Sequence, residues 1–224
     1  MTDVRSGPLA DAGLVPVITI DRADDAGPVA AALVQGGIPF AEITFRTPAA
    51  ADAIDRMRKE APQMTVGAGT VLTIEQADQA VAAGAQYLVS PALDAAIVDW
   101  CEEHSVPLIP GVATPSEVNA AWQRGLRTLK LFPVEPLGGV TLLEALRGPF
   151  PEIEFVPTGG ITRHNLGDYA RQPNVAACGG SWIASREAIS ARRFDDIVEA
   201  AQEASRIVRG ARERWDESLG AGSR

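Results

Sequence analysis

Short apolar, β-rich runs recur along this chain at a nearly constant interval, and that recurrence limits the fold more than any other feature. They cover residues 15–20, 40–45, 65–71, 87–91, 106–112, 128–133, 154–160 and 175–180, with starts separated by 19 to 26 residues. Each interval leaves room for one helix and its turns. Helix signals stand where that reading needs them. Thr114-Pro115-Ser116-Glu117 combines an N-cap, a proline at the first helical position and a Glu placed to close a capping box. Thr47-Pro48 opens another helix in the same way, and Thr73 to Gln76 makes a box with Gln in place of Glu. Gly36-Gly37, Gly84, Gly125 and Gly148 fall where helices should stop. Strands that alternate with helices pair in parallel, because each parallel pair needs a crossover of this length.

Eight such units predict an α/β chain folded as a single-domain (β/α)8 TIM barrel over residues 15–217. An open doubly wound sheet is the competitor, but it carries a glycine-rich loop after its first strand. Here Asp21-Arg22-Ala23-Asp24 follows instead. Residues 1–14 read as an N-terminal arm or short helix, residues 194–215 as a final amphipathic helix, and residues 218–224 as a disordered tail. The 224 residues, 46% hydrophobic, suffice for one substantial core. A net charge of −9, from 20 Lys+Arg against 29 Asp+Glu, argues against nucleic acid as a partner. No run approaches the ~18 apolar residues of a membrane span, and no leader pattern opens the chain. Cys101 and Cys178 sit singly in apolar segments, which argues against a disulfide framework or structural zinc. A cytoplasmic protein is expected.

In a barrel, chemistry belongs at the C-terminal strand ends. Strand alternation puts Glu42, Thr44 and Arg46 on one face and Ile43 and Phe45 on the other. The apolar face should pack under helices, which puts a carboxylate and a guanidinium inside the barrel, near its mouth; a buried structural ion pair is the alternative. Lysine is rare here: Lys59 and Lys130 are the only two. Lys130 and Phe132 share a face opposed to Leu129 and Leu131, and a lysine in such a strand is costly to bury as a cation unless paired. Burial that favours the neutral amine is the usual route to a Schiff-base nucleophile, since an ordinary lysine is only about 0.1% neutral near pH ~7.5. The alternative is a buried stem with its ammonium in water. Thr158-Gly159-Gly160 and Gly179-Gly180-Ser181 close the last two strands, where barrels commonly hold phosphate on backbone N–H groups. Thr70 adds a hydroxyl after Val66-Gly67-Ala68-Gly69. His104 and His164 fall at helix ends without ligand spacing, so no metal site is expected.

These motifs, in this order and with Ser90-Pro91, Ile109-Pro110-Gly111 and Lys130-Leu131-Phe132-Pro133, resemble the bacterial 2-keto-3-deoxy-6-phosphogluconate (KDPG) and 4-hydroxy-2-oxoglutarate (KHG) aldolases along nearly the whole chain. The resemblance implies Lys130 as the Schiff-base lysine and Glu42 as the general acid/base. It implies Arg46 and Thr70 on the pyruvate carboxylate, and Pro91 and Phe132 as walls of the pyruvate pocket. Gly159, Gly160 and Ser181 correspond to the phosphate site, with Thr158 near it. It further implies a homotrimer that needs no metal or cofactor, acting on a small phosphorylated keto acid. Phe45 departs from a frequent leucine, and both termini diverge. A phosphate-binding barrel without Schiff-base chemistry, or a catalytically silent one, remains the alternative to be distinguished by trapping and turnover.

Overall fold

The computed structural model describes residues 8–221, with side chains from Leu9 to Glu213. All its strand pairs are parallel, and helices cover the sheet. Six strands run in the order β5-β4-β3-β2-β1-β9. They are β1 (Leu14–Ile18), β2 (Phe40–Thr44), β3 (Thr65–Gly69), β4 (Leu88–Val89), β5 (Leu108–Ile109) and β9 (Cys178–Gly180). A second sheet joins β6 (Gly111–Val112), β7 (Thr128–Leu131) and β8 (Glu154–Pro157). The eight expected runs thus yield nine strands, because the fifth divides at Pro110. Its first half pairs with β4 and its second with β7, and the Pro110 carbonyl between them accepts from the Lys130 N–H at 2.9 Å. At the other edge, single bridges from Phe155 to Val175 and from Thr158 to Gly179 connect β8 to the β9 segment.

Between strands lie α2 (Ala26–Gln35), α3 (Ala50–Glu60), α4 (Ile74–Ala82), α5 (Ala95–His104), α6 (Pro115–Gln123), α7 (Gly139–Arg147), α8 (Leu166–Ala170) and α9 (Arg186–Ser190), flanked by α1 (Pro8–Ala12) and α10 (Phe194–Ala221). The Thr114–Glu117 capping box forms in full. Thr73 also caps α4, but Gln76 reaches one residue further back than expected, to the Leu72 N–H. Thr47 does not cap: its hydroxyl donates to the Ile20 carbonyl, which ties two strand ends together and delays α3 to Ala50. Gly148 keeps a right-handed φ of −61°, so it is not a left-handed stop. The last helix continues through residues 218–221, where a disordered tail is expected; residues 222–224, and 1–7 of the arm, lie outside the described residues.

Packing explains the strand faces. Ile18, Ile43 and Leu88 are fully buried, as are Ile54 and Met57 of α3; each such side chain contributes roughly 1.5–3 kcal/mol of hydrophobic burial. On α10, Ile197, Ala201, Ala204, Val208 and Ala211 form the buried stripe. Arg212 then donates to the Ala10 and Ala176 carbonyls, fixing α1 to the sheet. Among the described residues, no helix is long and apolar enough to cross a membrane.

Candidate active site

Lys130 and Glu42 come from opposite sheets and meet in the interior. The Lys130 Nζ donates to the Glu42 Oε1 at 3.3 Å, and both residues are only 2–3% exposed. Strand alternation delivers them: Leu129 and Leu131 are fully buried on the other face of β7, as Ala41 and Ile43 are on β2. An ion pair this deep costs desolvation on both sides and stands only with tight geometry. The Phe132 ring lies below the ammonium, with its centroid 5.5 Å from Nζ.

Two residues that the motif reading did not single out set the carboxylate's position. A Cβ at Gly69 would come within 2.0 Å of the Glu42 Oε1 and 2.5 Å of its Cγ, so the bare backbone of β3 is the space in which Glu42 lies. Tyr87 fits its ring under Gly67, where a Cβ would approach to 2.3 Å, and donates its hydroxyl to the Ala41 carbonyl at 2.9 Å. Burial, then the charge of Glu42, raises the Tyr87 phenol well above its ordinary range, so it remains a donor. The Gly67-x-Gly69 alternation was the available signal: small residues on an inward face leave room for large ones opposite.

Arg46 and Thr70 are also brought together, at the rim. The strand ends at Thr44, so Arg46 lies in the following turn and is exposed rather than inside the barrel; its Nε donates to the Thr70 Oγ1 at 3.3 Å. Thr70 holds φ at +56°, a conformation rarely adopted by a β-branched residue and one that concentrates at functional sites. Pro91 and Phe132 are half-buried at their strand ends. Among the described residues no group of three His, Cys, Asp or Glu could hold a metal. His104 is used locally, stacked on Trp100 and bonded to its carbonyl. Burial pushes the Cys101 thiol up to about 11 and the Cys178 thiol up to about 12, which removes both as nucleophiles.

The glycine-rich ends converge on the other side. Thr158, buried, bridges to Gly179, where a Cβ would fall 2.2 Å from the Thr158 Oγ1. Gly160 is exposed at φ +89°, with Glu135 packed where its Cβ would be. Glu135 in turn accepts from the Tyr169 hydroxyl and from the Asn165 Nδ2 at 3.2 Å, and Asn165 also holds the Gly160 carbonyl at 3.2 Å. This buttress escaped sequence reasoning because its members are about thirty residues apart. Ser181 is exposed just past β9, and Gly180 is buried before it.

The KDPG and KHG aldolase family model matches residues 7–200. The chain is 46% identical to the 2-dehydro-3-deoxy-phosphogluconate aldolase of Treponema pallidum over 195 residues, covering 87% of this chain and 93% of the relative. It is 43% identical to the KHG/KDPG aldolase of Escherichia coli K12, covering 89% and 92%. Among solved structures, the KDPG aldolase of Legionella pneumophila, with pyruvate captured as a covalent carbinolamine intermediate, superposes with a TM-score of 0.85 at 40% identity, covering 88% of this chain and 95% of that one. A buried lysine–carboxylate pair, a guanidinium–threonine rim and two glycine-rich strand ends thus occur in a chain that belongs to the KDPG and KHG aldolase family.

Proposed function

We propose that this chain is a class I aldolase that cleaves KDPG to pyruvate and glyceraldehyde 3-phosphate. The observation that carries the reading is the buried contact between the Lys130 Nζ and the Glu42 Oε1 at 3.3 Å. Transfer of a proton within this pair leaves a neutral amine, the form that attacks a ketone. The amine adds to C2, and loss of water gives a protonated imine. Glu42 removes the C4 hydroxyl proton as the C3–C4 bond breaks, and the electron pair passes into the imine to give an enamine. The aldehyde leaves. Glu42 returns its proton to C3, and hydrolysis of the imine releases pyruvate and restores Lys130. Arg46 offers a bidentate fork to the substrate carboxylate, with Thr70 beside it, and Pro91 and Phe132 wall the pyruvate half. Backbone N–H groups at Gly159, Gly160, Gly179 and Gly180, with Thr158 and Ser181, take the phosphate. Its binding energy positions the reacting carbons.

The same keto-acid end fits KHG, cleaved to pyruvate and glyoxylate. The two sheets are read as arcs of one closed (β/α)8 barrel, supported by the Lys130–Pro110 hydrogen bond at one junction and the Thr158–Gly179 bridge at the other. The working form is read as a cytoplasmic homotrimer without cofactor; exposed Leu72 and Ile74 supply apolar surface for contacts between copies. Sedimentation velocity tests the trimer. For the chemistry, borohydride in the presence of pyruvate should leave a reduced pyruvyl adduct on Lys130, located by peptide mass mapping. No adduct, or one on Lys59, overturns the reading.

A further inference from the structure

Thr19 stands one residue beyond β1 and is half-buried. Its Oγ1 lies 2.9 Å from the Oγ1 of Thr44. Thr44 is fully buried, and its hydroxyl donates to the Ile18 carbonyl at 3.0 Å. A hydroxyl has one proton to give. With the Thr44 proton committed to Ile18, the proton between the two threonines belongs to Thr19. Thr19 therefore donates inward and keeps only lone pairs for a ligand. It can accept a hydrogen bond there, and cannot give one while the pair holds.

The placement says which part of a substrate it meets. Thr44 follows Glu42 by two residues on the same face of β2, a step of about 6.6 Å toward the C-terminal strand end. β1 lies between β2, which leads to Arg46, and β9, which leads to Ser181. A molecule held by its keto-acid end at Lys130 and Arg46, with its phosphate at the glycine-rich ends, passes over β1 in between. In KDPG that stretch carries the C5 hydroxyl, the C4 hydroxyl being the one Glu42 deprotonates. In KHG the equivalent carbon is a carboxylate, which can only accept, and it would face an acceptor.

We propose that Thr19 is a specificity-determining residue that accepts a hydrogen bond from the hydroxyl of the aldehyde half, favouring the hydroxylated phosphate substrate over the dicarboxylate. The proposal rests on the aldolase reading above. Thr19→Val keeps the shape and removes the hydroxyl; Thr19→Ser restores it. Three readouts separate the outcomes: kcat/KM for KDPG, kcat/KM for KHG, and exchange of the pyruvate methyl protons with deuterated solvent. Thr19→Val should lower kcat/KM for KDPG about five- to ten-fold. KHG cleavage and pyruvate exchange should stay within about two-fold, and Thr19→Ser should stay near wild type on all three. Equal losses on both cleavage substrates, no loss on KDPG, or a loss that Ser does not rescue overturns the role of Thr19. Absence of pyruvate exchange in the unaltered protein defeats the aldolase reading instead.

Discussion

In the proposed reaction, the keto-acid end relies on side chains that packing immobilises: Glu42 in the space left by Gly69, Lys130 over Phe132, Arg46 against Thr70. At the proposed phosphate end the groups would be backbone, and side chains shape that backbone, as Glu135 and Asn165 do around Gly160. A side chain that performs a step has no substitute, whereas a turn that presents several N–H groups loses affinity gradually. Substitutions at the first end should therefore appear in kcat and at the second in KM for phosphorylated substrates.

The largest expected effect tests the first half of that contrast. Lys130→Arg keeps a cation beside Glu42 and removes the amine that forms an imine, so cleavage should fall to background in a coupled pyruvate assay. Lys59 is exposed on α3 and paired with Asp55 at 2.7 Å, and Lys59→Arg should leave turnover unchanged. Residual turnover in Lys130→Arg that is still trapped by borohydride would move the nucleophile elsewhere.

Next comes the carboxylate. Glu42→Gln retains shape and most hydrogen bonding but cannot accept the proton, so kcat should drop roughly 10²–10⁴-fold with the fold preserved. Gly69→Ala makes the sharper test, because it leaves both proposed catalytic side chains in the sequence and only occupies the room of one. With the new Cβ 2.0 Å from the Oε1, Glu42 must move, and kcat should fall while circular dichroism stays native. Unchanged kcat in Gly69→Ala would show that the carboxylate's position is not critical, and a purely structural role for Glu42 beside Lys130 would instead lower stability in Glu42→Gln and leave kcat largely intact.

How far the sequence could be read follows the same division. The strand–helix repeat, the inward face of Glu42 and Lys130, and the glycine-rich ends were legible because period-two alternation and turn chemistry are local. Strand alternation extended two residues past the end of β2 puts Arg46 too deep, because the chain turns after Thr44. The split at Pro110 and the failed cap at Thr47 depend on partners from other strands. The Glu135–Asn165–Tyr169 buttress and the Gly69 recess are likewise tertiary, and no local pattern specifies them.

The phosphate end should respond more mildly. Gly160→Ala forces a Cβ into a left-handed turn and onto Glu135, at 2.5 Å from its Cγ. Ser181→Ala removes the hydroxyl proposed to donate to the phosphate. Each should raise KM for KDPG about ten-fold while leaving pyruvate exchange unchanged. Arg46→Ala, by contrast, should impair KDPG and KHG alike, because both present the same keto-acid end. Equal losses on both substrates from Ser181→Ala would place the phosphate elsewhere.

The smallest effect concerns what holds the phosphate end from outside. Arg186, which opens α9 shortly after Ser181, donates to both carboxylate oxygens of Asp21 in the loop after β1. These hydrogen bonds hold the Asp21 carboxyl below its ordinary 3.8, so its folded pKa is depressed. The sign follows from linkage: the contribution is complete above the unfolded value and is lost as pH falls through the folded one. Both groups are exposed and screened, so the stabilisation is slight. Asp21→Asn should melt marginally below the unaltered protein at neutral pH, and that difference should narrow only below about pH 4. KM for KDPG should rise less than in Ser181→Ala, with pyruvate exchange untouched. A melting difference that persists unchanged at pH 3 would assign the tie to the shape of the loop rather than to the charge of Asp21.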